Sequence, residues 1–462
     1  MARLFVSAAH KSSGKTTLSI GLAAALRRRG IETQVFKKGP DYIDPLWLTR
    51  ASGRATYNLD FNTQTPEEIL ELYARRRSVS GIDIIEGNKG LHDGVDRRGS
   101  DSSAALARLL DAPVVLVIDA SGMTRGIAPL LLGYKLFDPE VEVAGVVLNQ
   151  VATPRQEEKL RAAVEDYTGL PVFGALGRSP AVIVKERHLG LTTPGDVDGP
   201  DARIERIREI VEQGVDIDAL IAVAGNARPV RVAAEHVHAR IADVRIGVAM
   251  DEAFCFYYRD DLETLERAGA EIVPFSPLAD PHLPDVDGLF IGGGFPETHV
   301  GALAANTSLK AEIAAAAATG MPIHAECGGL MYLSRSIRYE GEAGEMVGVV
   351  PGHSVMQSKP QGRGLVVLAE NRDGAAPTVP AHEFHFARLE GLPADASFAW
   401  RVRRGHGIDG EHDGIVINNV VASFSHFRDT SRCHWARDFV ETVRREKRAR
   451  KTGAAGVTKS GR

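Results

Sequence analysis

The run Ser12-Ser13-Gly14-Lys15-Thr16-Thr17 sits where a short apolar stretch, residues 3–8, gives way to residues 15–29. In the latter, Leu18, Leu22, Ala25 and Leu26 recur at helical spacing. A strand that turns into a helix through such a loop leaves few folds open. The glycine lets backbone N–H groups close around an anion, and the helix start adds positive potential. In that arrangement Lys15 reaches the outer phosphates of a nucleotide and Thr16 ligates Mg²⁺, with Ser13, Gly14 and Thr17 completing the cradle. The first glycine of the usual G-x-x-x-x-G-K-[ST] pattern is Ala9 here, so the match is incomplete. The plain alternative is a helix start that happens to carry a lysine.

Apolar strands continue to alternate with helical segments. Residues 33–36, 81–85, 113–118 and 141–148 read as strands and 200–215 as a helix. Continuous apolar strands separated by helices predict a parallel sheet covered on both faces. The pattern loosens near 226–242 and then restarts. Strands are expected at 244–250, 271–274, 288–291 and 322–325, with a helix near 259–268. The fold class is α/β, with two doubly wound domains: residues 1–225, a linker at 226–242, and residues 243–443. The basic tail, 444–462, reads as disordered. A length of 462 residues suits two or three domains of roughly 150 residues.

A net charge of −5 leaves no global positive field for nucleic acid or an anionic membrane. No stretch approaches the ~20 apolar residues that span a bilayer. The start of the chain has no signal-peptide pattern. Three cysteines, Cys255, Cys327 and Cys433, show neither C-x-x-C spacing nor a paired framework, which suits a reducing cytoplasm.

In the first half, Lys37-Lys38-Gly39-Pro40-Asp41-Tyr42-Ile43-Asp44 follows the second strand. Asp41 and Asp44 beside Lys37 suit a Mg²⁺ or substrate site, because carboxylates this close need a cation. A simple Gly-Pro-Asp turn is the alternative. Glu86 ends the third strand, where α/β folds place ligand groups, and could hold Mg²⁺ opposite Thr16. Asp119 ends an apolar run in the manner of a Walker B carboxylate, or else caps a turn. Asn149 is a candidate for the adenine edge, or else a buried amide satisfied by backbone.

In the second half, residues 321–333 read as strand, sharp turn and helix, with Cys327 at the tip and Gly328-Gly329 after it. This is nucleophile-elbow geometry, with the thiol at a helix start. The inert core cysteine is the competing reading. Gly292-Gly293-Gly294 after another strand can present backbone N–H groups to an oxyanion. His426 offers a distant base, as acyl transfer from an amide requires. His382 and His385 are read as satisfied strand histidines, and no cluster has the spacing of a structural zinc site.

Taken in order, the loop at Lys15, Phe36-Lys-Lys-Gly-Pro-Asp-Tyr-Ile-Asp-Pro45, Asn58-Leu59-Asp60, Glu86-Gly87, Glu186-Arg-His-Leu-Gly-Leu191, Asp251-Glu-Ala-Phe254 and Ala325-Glu-Cys-Gly-Gly-Leu330 make a set. That set resembles the cobyrinate a,c-diamide synthase family, ATP- and glutamine-dependent amidases of corrinoid biosynthesis, over about residues 3–440. The resemblance implies a dethiobiotin-synthetase-like P-loop domain followed by a class I glutamine amidotransferase domain. It implies Cys327 as the nucleophile on glutamine, His426 as base and acid, and Gly294 and Gly328 as oxyanion donors. It ties Lys15, Thr16, Lys37, Asp41, Asp44 and Glu86 to ATP, Mg²⁺ and activation of a polycarboxylate tetrapyrrole. A second copy of the chain, in a homodimer, is admitted as a partner.

Two departures stand out. Class I amidotransferases often carry His-x-Glu, whereas this chain has His426-Phe427-Arg428, so the third member is absent or lies elsewhere. The loop at residues 9–13 and Gly122-Met-Thr-Arg-Gly126 look closer to a branch that amidates sirohaem, so sirohaem, its metal-free precursor or hydrogenobyrinate are alternative substrates. From other classes, a P-loop ATPase switch needs no Cys327, and a regulatory protein with a dead amidotransferase half predicts loss of Cys327 or His426.

Overall fold

The computed structural model describes residues 2–178, 186–187, 190–230, 240–372, 374 and 376–457. His188 and Leu189 of the fifth family-like motif lie outside the described residues. The chain divides into two compact units, residues 1–235 and 236–462.

The first unit runs β1 (Ala2–Ala8), α1 (Lys15–Arg28), β2 (Thr33–Lys38), α2 (Ile43–Ser52), β3 (Tyr57–Leu59), α3 (Pro66–Arg76) and β4 (Ile82–Glu86). It continues through α4 (Ser103–Leu109), β5 (Val114–Asp119), α5 (Ile127–Phe137), β6 (Val143–Val151), α6 (Pro154–Thr168) and β7 (Val172–Gly177). A two-stranded ribbon, β8 (Glu186–Arg187) and β9 (Gly190–Leu191), precedes α7 (Pro200–Gly214) and α8 (Ile217–Gly225). Seven strands form one sheet in the order β3-β2-β4-β1-β5-β6-β7, every neighbouring pair parallel. Because both faces are covered, β5 is apolar at five successive positions, Val114–Ile118, all buried.

Helix α1 shows why its sequence is apolar almost all round. It is buried from Leu18 to Leu26 and packs against α7. A Cβ on Gly21 would stand 2.3 Å from a Val211 methyl of α7, so only glycine permits that approach. Strand β1 lies between β4 and β5, so the order reverses there and the carboxyl ends of β1, β2, β4 and β6 converge on one crevice.

The second unit runs β10 (Val244–Ala249), α9 (Arg259–Arg267), β11 (Ala270–Phe275), β12 (Gly288–Ile291), α10 (Val300–Ala305), α11 (Thr307–Ala318), β13 (Ile323–Glu326) and α12 (Gly328–Leu333). Then come β14 (Ser334–Tyr339), β15 (Glu342–Glu345), β16 (Val350–Met356), β17 (Gly362–Glu370), β18 (Thr378–His385) and β19 (Ala387–Glu390). The unit ends with β20 (Ser397–Arg404), β21 (His412–Ile417), β22 (Val420–Ser423) and α13 (Trp435–Val457). Its large sheet has the order β11-β10-β12-β13-β22-β21-β20-β17-β18. The first five strands are parallel; from β22 outward the pairing is antiparallel. The doubly wound pattern is therefore half of this sheet, and a smaller sheet, β15-β14-β16-β19, lies apart from it.

The expected disordered tail is corrected over residues 444–457, which continue α13. Its basic residues have specific partners. Arg444 is buried and pairs with Asp243 at 2.6 Å, while Lys447 reaches Asp287 at 2.8 Å. Val440 and Val443 pack the same helix onto the core formed with β10. Deleting residues 444–462 should lower the melting temperature by about 2–8 °C, for a loss of about 1–2 kcal/mol. A scanning-calorimetry trace superimposable on that of the full chain would mean that α13 adds nothing beyond residue 443.

Candidate active sites

In the first unit the loop from Ala9 to Gly14 carries its left-handed backbone at Ser12 (φ 59°) and Gly14 (φ 98°). Ala9 is not among the positive-φ residues, so the missing first glycine costs no strain there. The loop is braced from outside. Asn149 Nδ2 donates to the Ser13 carbonyl at 2.9 Å, and Tyr134 Oη donates to the Ala9 carbonyl at 2.8 Å. A Cβ on Gly14 would fall 2.2 Å from Asn149 Nδ2, so glycine is needed for the brace. Asn149 thus holds the loop, which is the backbone-satisfied role that competed with adenine contact. Asp119 accepts from Ser121 N at 2.9 Å, the turn-capping role.

Lys15 and Thr16 open α1, with Thr17 half-buried beside them. Lys15 Nζ donates to the His10 carbonyl at 3.3 Å. Burial and the neighbouring Lys37 push its ammonium down to about 8, against the pull of Glu86 and Asp44. Thr16 Oγ1 donates to Glu86 Oε1 at 2.9 Å and to Asp44 Oδ2 at 3.3 Å. Lys37 Nζ sits between the same carboxylates, 2.5 Å from Asp44 and 2.6 Å from Glu86. Burial opposes the lysine's charge, but Asp44, Glu86 and Asp41 hold it protonated. Burial raises the Glu86 carboxyl although Lys37 opposes the shift; Asp44 is held low by Lys37 in spite of its burial.

Asp41 has a different place. Its Oδ1 accepts from Ile43 N and Asp44 N, tying down the start of α2, and Oδ2 lies 3.7 Å from Lys37. Burial and Asp44 raise its carboxyl to about 7. Of the carboxylates expected to share a cation with Thr16, Glu86 meets it directly, and Asp44 does so where Asp41 was expected. The motif residue Asn58 holds this turn through 2.8 and 2.7 Å bonds from its amide to the Gly39 and Asp41 carbonyls.

The oxygens of Thr16, Asp44 and Glu86 are all hard donors, which fits Mg²⁺. Among the described residues no group of three His, Cys, Asp or Glu side chains stands ready as a metal site. The fit is to an ion that takes one or two carboxylates and a hydroxyl from the protein and the rest from phosphates and water.

In the second unit β13 delivers Cys327 at a strand-to-helix elbow with φ 48° and ψ −101°. Its backbone N–H donates to the Ser423 carbonyl at 2.7 Å, fastening the elbow to β22. Gly329 permits the tight packing behind it, since a Cβ there would stand 2.0 Å from the Ile291 carbonyl. Gly328 opens α12, so its N–H is unclaimed by the helix. A Cβ on Gly328 would lie 3.1 Å from Gly294 N, so the two expected oxyanion donors are neighbours. Gly294 itself has no room for a side chain, with the Ala253 carbonyl at 2.0 Å from its Cβ position. Tyr257 stiffens this turn by accepting from Gly292 N at 2.9 Å and donating to the Ala249 carbonyl.

The imidazole of His426 is close enough to Cys327 for the two to act on one another electrostatically. Its Nδ1 lies 3.4 Å from Glu326 Oε2. Glu326 thus puts a carboxylate beside the imidazole, where the His-x-Glu pattern would have put one at residue 428. Its other oxygen accepts from Phe427 N and pairs with His324 Nε2, both at 3.1 Å. Burial disfavours the charge on Glu326, but His324 and His426 outweigh it and pull the carboxyl to about 2. Burial likewise opposes the imidazolium of His426, yet Cys327 and Glu326 push it up to about 10. A signal for Glu326 was present in the sequence: a glutamate at the end of an apolar strand has to find a partner.

Arg428 faces elsewhere. It is fully buried, 2.8 Å from Asp260 of α9 and over the Tyr258 ring. His382 pairs backbone to backbone with His426, and burial together with His426 drives its imidazole down to about 3. His385 stacks on Phe424 at 3.9 Å and bonds the Ala387 carbonyl.

Residues 5–191 match the model of the CobQ/CobB/MinD/ParA nucleotide binding domain, and residues 245–432 that of the CobB/CobQ-like glutamine amidotransferase domain. A cobyrinate a,c-diamide synthase of Magnetococcus marinus is 43% identical over 94% of this chain and 95% of its own length. The chain belongs to the cobyrinate a,c-diamide synthase family. Synthases of that name from Methanosarcina acetivorans and Methanosarcina barkeri are 41% and 40% identical, each over 96% of this chain and 95% and 96% of their own. Like other members, it couples a P-loop nucleotide-binding domain to a glutamine amidotransferase domain, and none of its described helices is long and apolar enough to cross a membrane.

Glu326→Gln keeps the shape of the side chain and removes its charge. Glutamine-supported kcat should fall about 10²-fold or more, and the alkaline limb of its pH profile should move to lower pH. The sign follows from the imidazolium, which Glu326 stabilises and which must survive to protonate the leaving nitrogen. An unchanged kcat and pH profile would leave His426 oriented by something else.

Proposed function

We propose that this chain converts the a and c side-chain carboxylates of cobyrinate to carboxamides, using ATP and glutamine. The observation that carries the reading is the resemblance over nearly the whole chain to synthases of that name, with a reactive constellation in each half. The relatives at 40–43% identity bear the corrinoid name, which favours cobyrinate over sirohaem, sirohydrochlorin or hydrogenobyrinate. A consumer of ATP and glutamine with three free thiols suits the cytoplasm.

The chemistry divides between the units. The Cys327 sulfur attacks the side-chain carbonyl carbon of glutamine with its proton already carried on His426. Gly294 and Gly328 N–H groups meet the oxyanion. His426 then gives the proton to the departing nitrogen, the C–N bond breaks, and ammonia leaves a glutamyl thioester. Water, activated by the same imidazole, hydrolyses the thioester to glutamate.

In the first unit a substrate carboxylate oxygen attacks the γ-phosphorus of ATP and ADP departs, leaving an acyl phosphate. Ammonia adds to the acyl carbon and inorganic phosphate leaves, carrying an oxygen that was the substrate's. Priming is required because a carboxylate is a poor acyl donor until one oxygen becomes a leaving group. Lys15 and the N–H groups of Ser13, Gly14 and Thr17 bind the phosphates, and Lys37 fixes the carboxylates Asp44 and Glu86. Mg²⁺, held by Thr16 with Glu86 and Asp44, would neutralise phosphate charge there.

Cys327→Ala should abolish glutamine-supported amidation while leaving turnover with ammonium salt; retained glutamine-dependent turnover would remove Cys327 as the nucleophile. Lys15→Ala should depress amidation from both nitrogen sources about 10²-fold or more. Product formation followed by mass spectrometry checks this, and unchanged turnover at saturating ATP would take nucleotide binding away from this loop.

A further inference from the structure

The loop that carries His426 is anchored in an unusual way. Backbone N–H groups on either side of the imidazole are held by buried carboxylates from three separate elements. Phe427 N donates to Glu326 of β13 at 3.1 Å, and Asp429 N to Asp261 of α9 at 2.9 Å. Ahead of the histidine, Phe424 N and Ser425 N each donate to Asp413 of β21 at 3.0 Å, one to each carboxylate oxygen. His426 N itself donates to the His382 carbonyl at 2.7 Å.

Asp413 is fully buried. Its position follows from the sheet register. Strands β21 and β22 pair as far as Ile415 with Ala422, and this register carried outward sets Gly414 opposite Ser423 and then Asp413 opposite Phe424. There the ladder stops and the side chain takes over the N–H groups that a backbone carbonyl would have bound. Gly414, at φ 69°, follows directly, and a Cβ on it would stand 2.6 Å from Trp400 Cδ1, so the chain is fixed against that ring. The carboxylate also accepts from Gly414 N at 2.8 Å. The same short segment holds the nucleophile, since the Ser423 carbonyl receives Cys327 N, and Ser423 Oγ donates to the Ser425 carbonyl at 2.8 Å. A shift of residues 424–425 therefore changes the separation of thiol and base.

We propose that Asp413 is a positioning residue for glutamine hydrolysis, setting His426 against Cys327 by gripping the two peptide N–H groups that precede the histidine. The inference rests on the reading of Cys327 and His426 as the glutamine-cleaving pair. A neutral amide cannot replace the carboxylate, because Asn presents one acceptor and turns an NH₂ group toward a backbone N–H. A displacement of about 1 Å at a reacting pair costs about 10²-fold in rate.

The test compares full-length wild type, Cys327→Ala and Asp413→Asn in one assay with cobyrinate, ATP and Mg²⁺, supplied with either glutamine or ammonium chloride. For Asp413→Asn, kcat with glutamine should fall about 10–100-fold while KM for glutamine stays within about twofold and the ammonium-supported rate is retained. Alkylation of Cys327 by iodoacetamide should slow in parallel, a readout that loss of stability elsewhere does not move. If Asp413→Asn does not yield folded protein by circular dichroism, Asp413→Glu keeps the charge, displaces both oxygens by one methylene and should show the same split. A glutamine kcat within about twofold of wild type in a folded variant overturns the proposal, as does an equal loss with ammonium. Glutamine-dependent turnover by Cys327→Ala would instead overturn the reading beneath it.

Discussion

Lys37 buried between Asp44 and Glu86 is the constraint around which the first half is organised. A charge taken from water costs several kcal/mol after relaxation, and a chain keeps such a group only where counter-charges and hydrogen bonds are built around it. Here the building material comes from four elements. The ends of β2 and β4 supply Lys37 and Glu86, and the first turn of α2 supplies Asp44, with Thr16 of α1 bonded to both carboxylates. Because the strands are parallel and β1 lies at the reversal of strand order, these ends meet beside the phosphate loop. The same logic recurs in the second half, where Glu326 is kept ionised by two histidines and returns that charge to His426. Each half thus stores a buried charge that burial alone would quench, beside the residues to which the chemistry is proposed to fall.

Much of this was legible in the chain because the carriers are local. The strand, loop and helix around Lys15, the paired acids after β2, and the Cys-Gly-Gly elbow each lie within about ten residues. Their chemistry follows from residue type and spacing. The parallel strands were readable because burial on both faces makes them continuous apolar runs. The helix boundaries differ from expectation by a residue, as helix ends commonly do.

What escaped was carried by long-range pairing. Glu326 reads as an ordinary residue beside Cys327, since its partner His426 arrives from the loop after β22, a hundred residues later in the chain. The His-x-Glu pattern points to residue 428, where Arg428 pairs with Asp260 of α9. The antiparallel half of the second sheet was missed because its half-exposed strands alternate polar and apolar residues and lack the continuous apolar signature. The basic end of the chain read as solvated charge, yet Arg444 and Lys447 find Asp243 and Asp287 across the domain. The exchange of Asp44 for Asp41 at Thr16 has a simple cause: Asp41 is committed to the N–H groups that start α2, and only one of two acids three residues apart can do that.

Priming of a carboxylate in the phosphate-loop unit is the step on which the account turns, and isotope transfer tests it without altering the protein. Cobyrinate labelled with ¹⁸O in its carboxylates would be turned over with ATP, Mg²⁺ and glutamine, and the inorganic phosphate analysed by mass spectrometry. The account predicts one ¹⁸O in phosphate for every carboxamide formed. Carboxamide accumulating with phosphate free of ¹⁸O would contradict it.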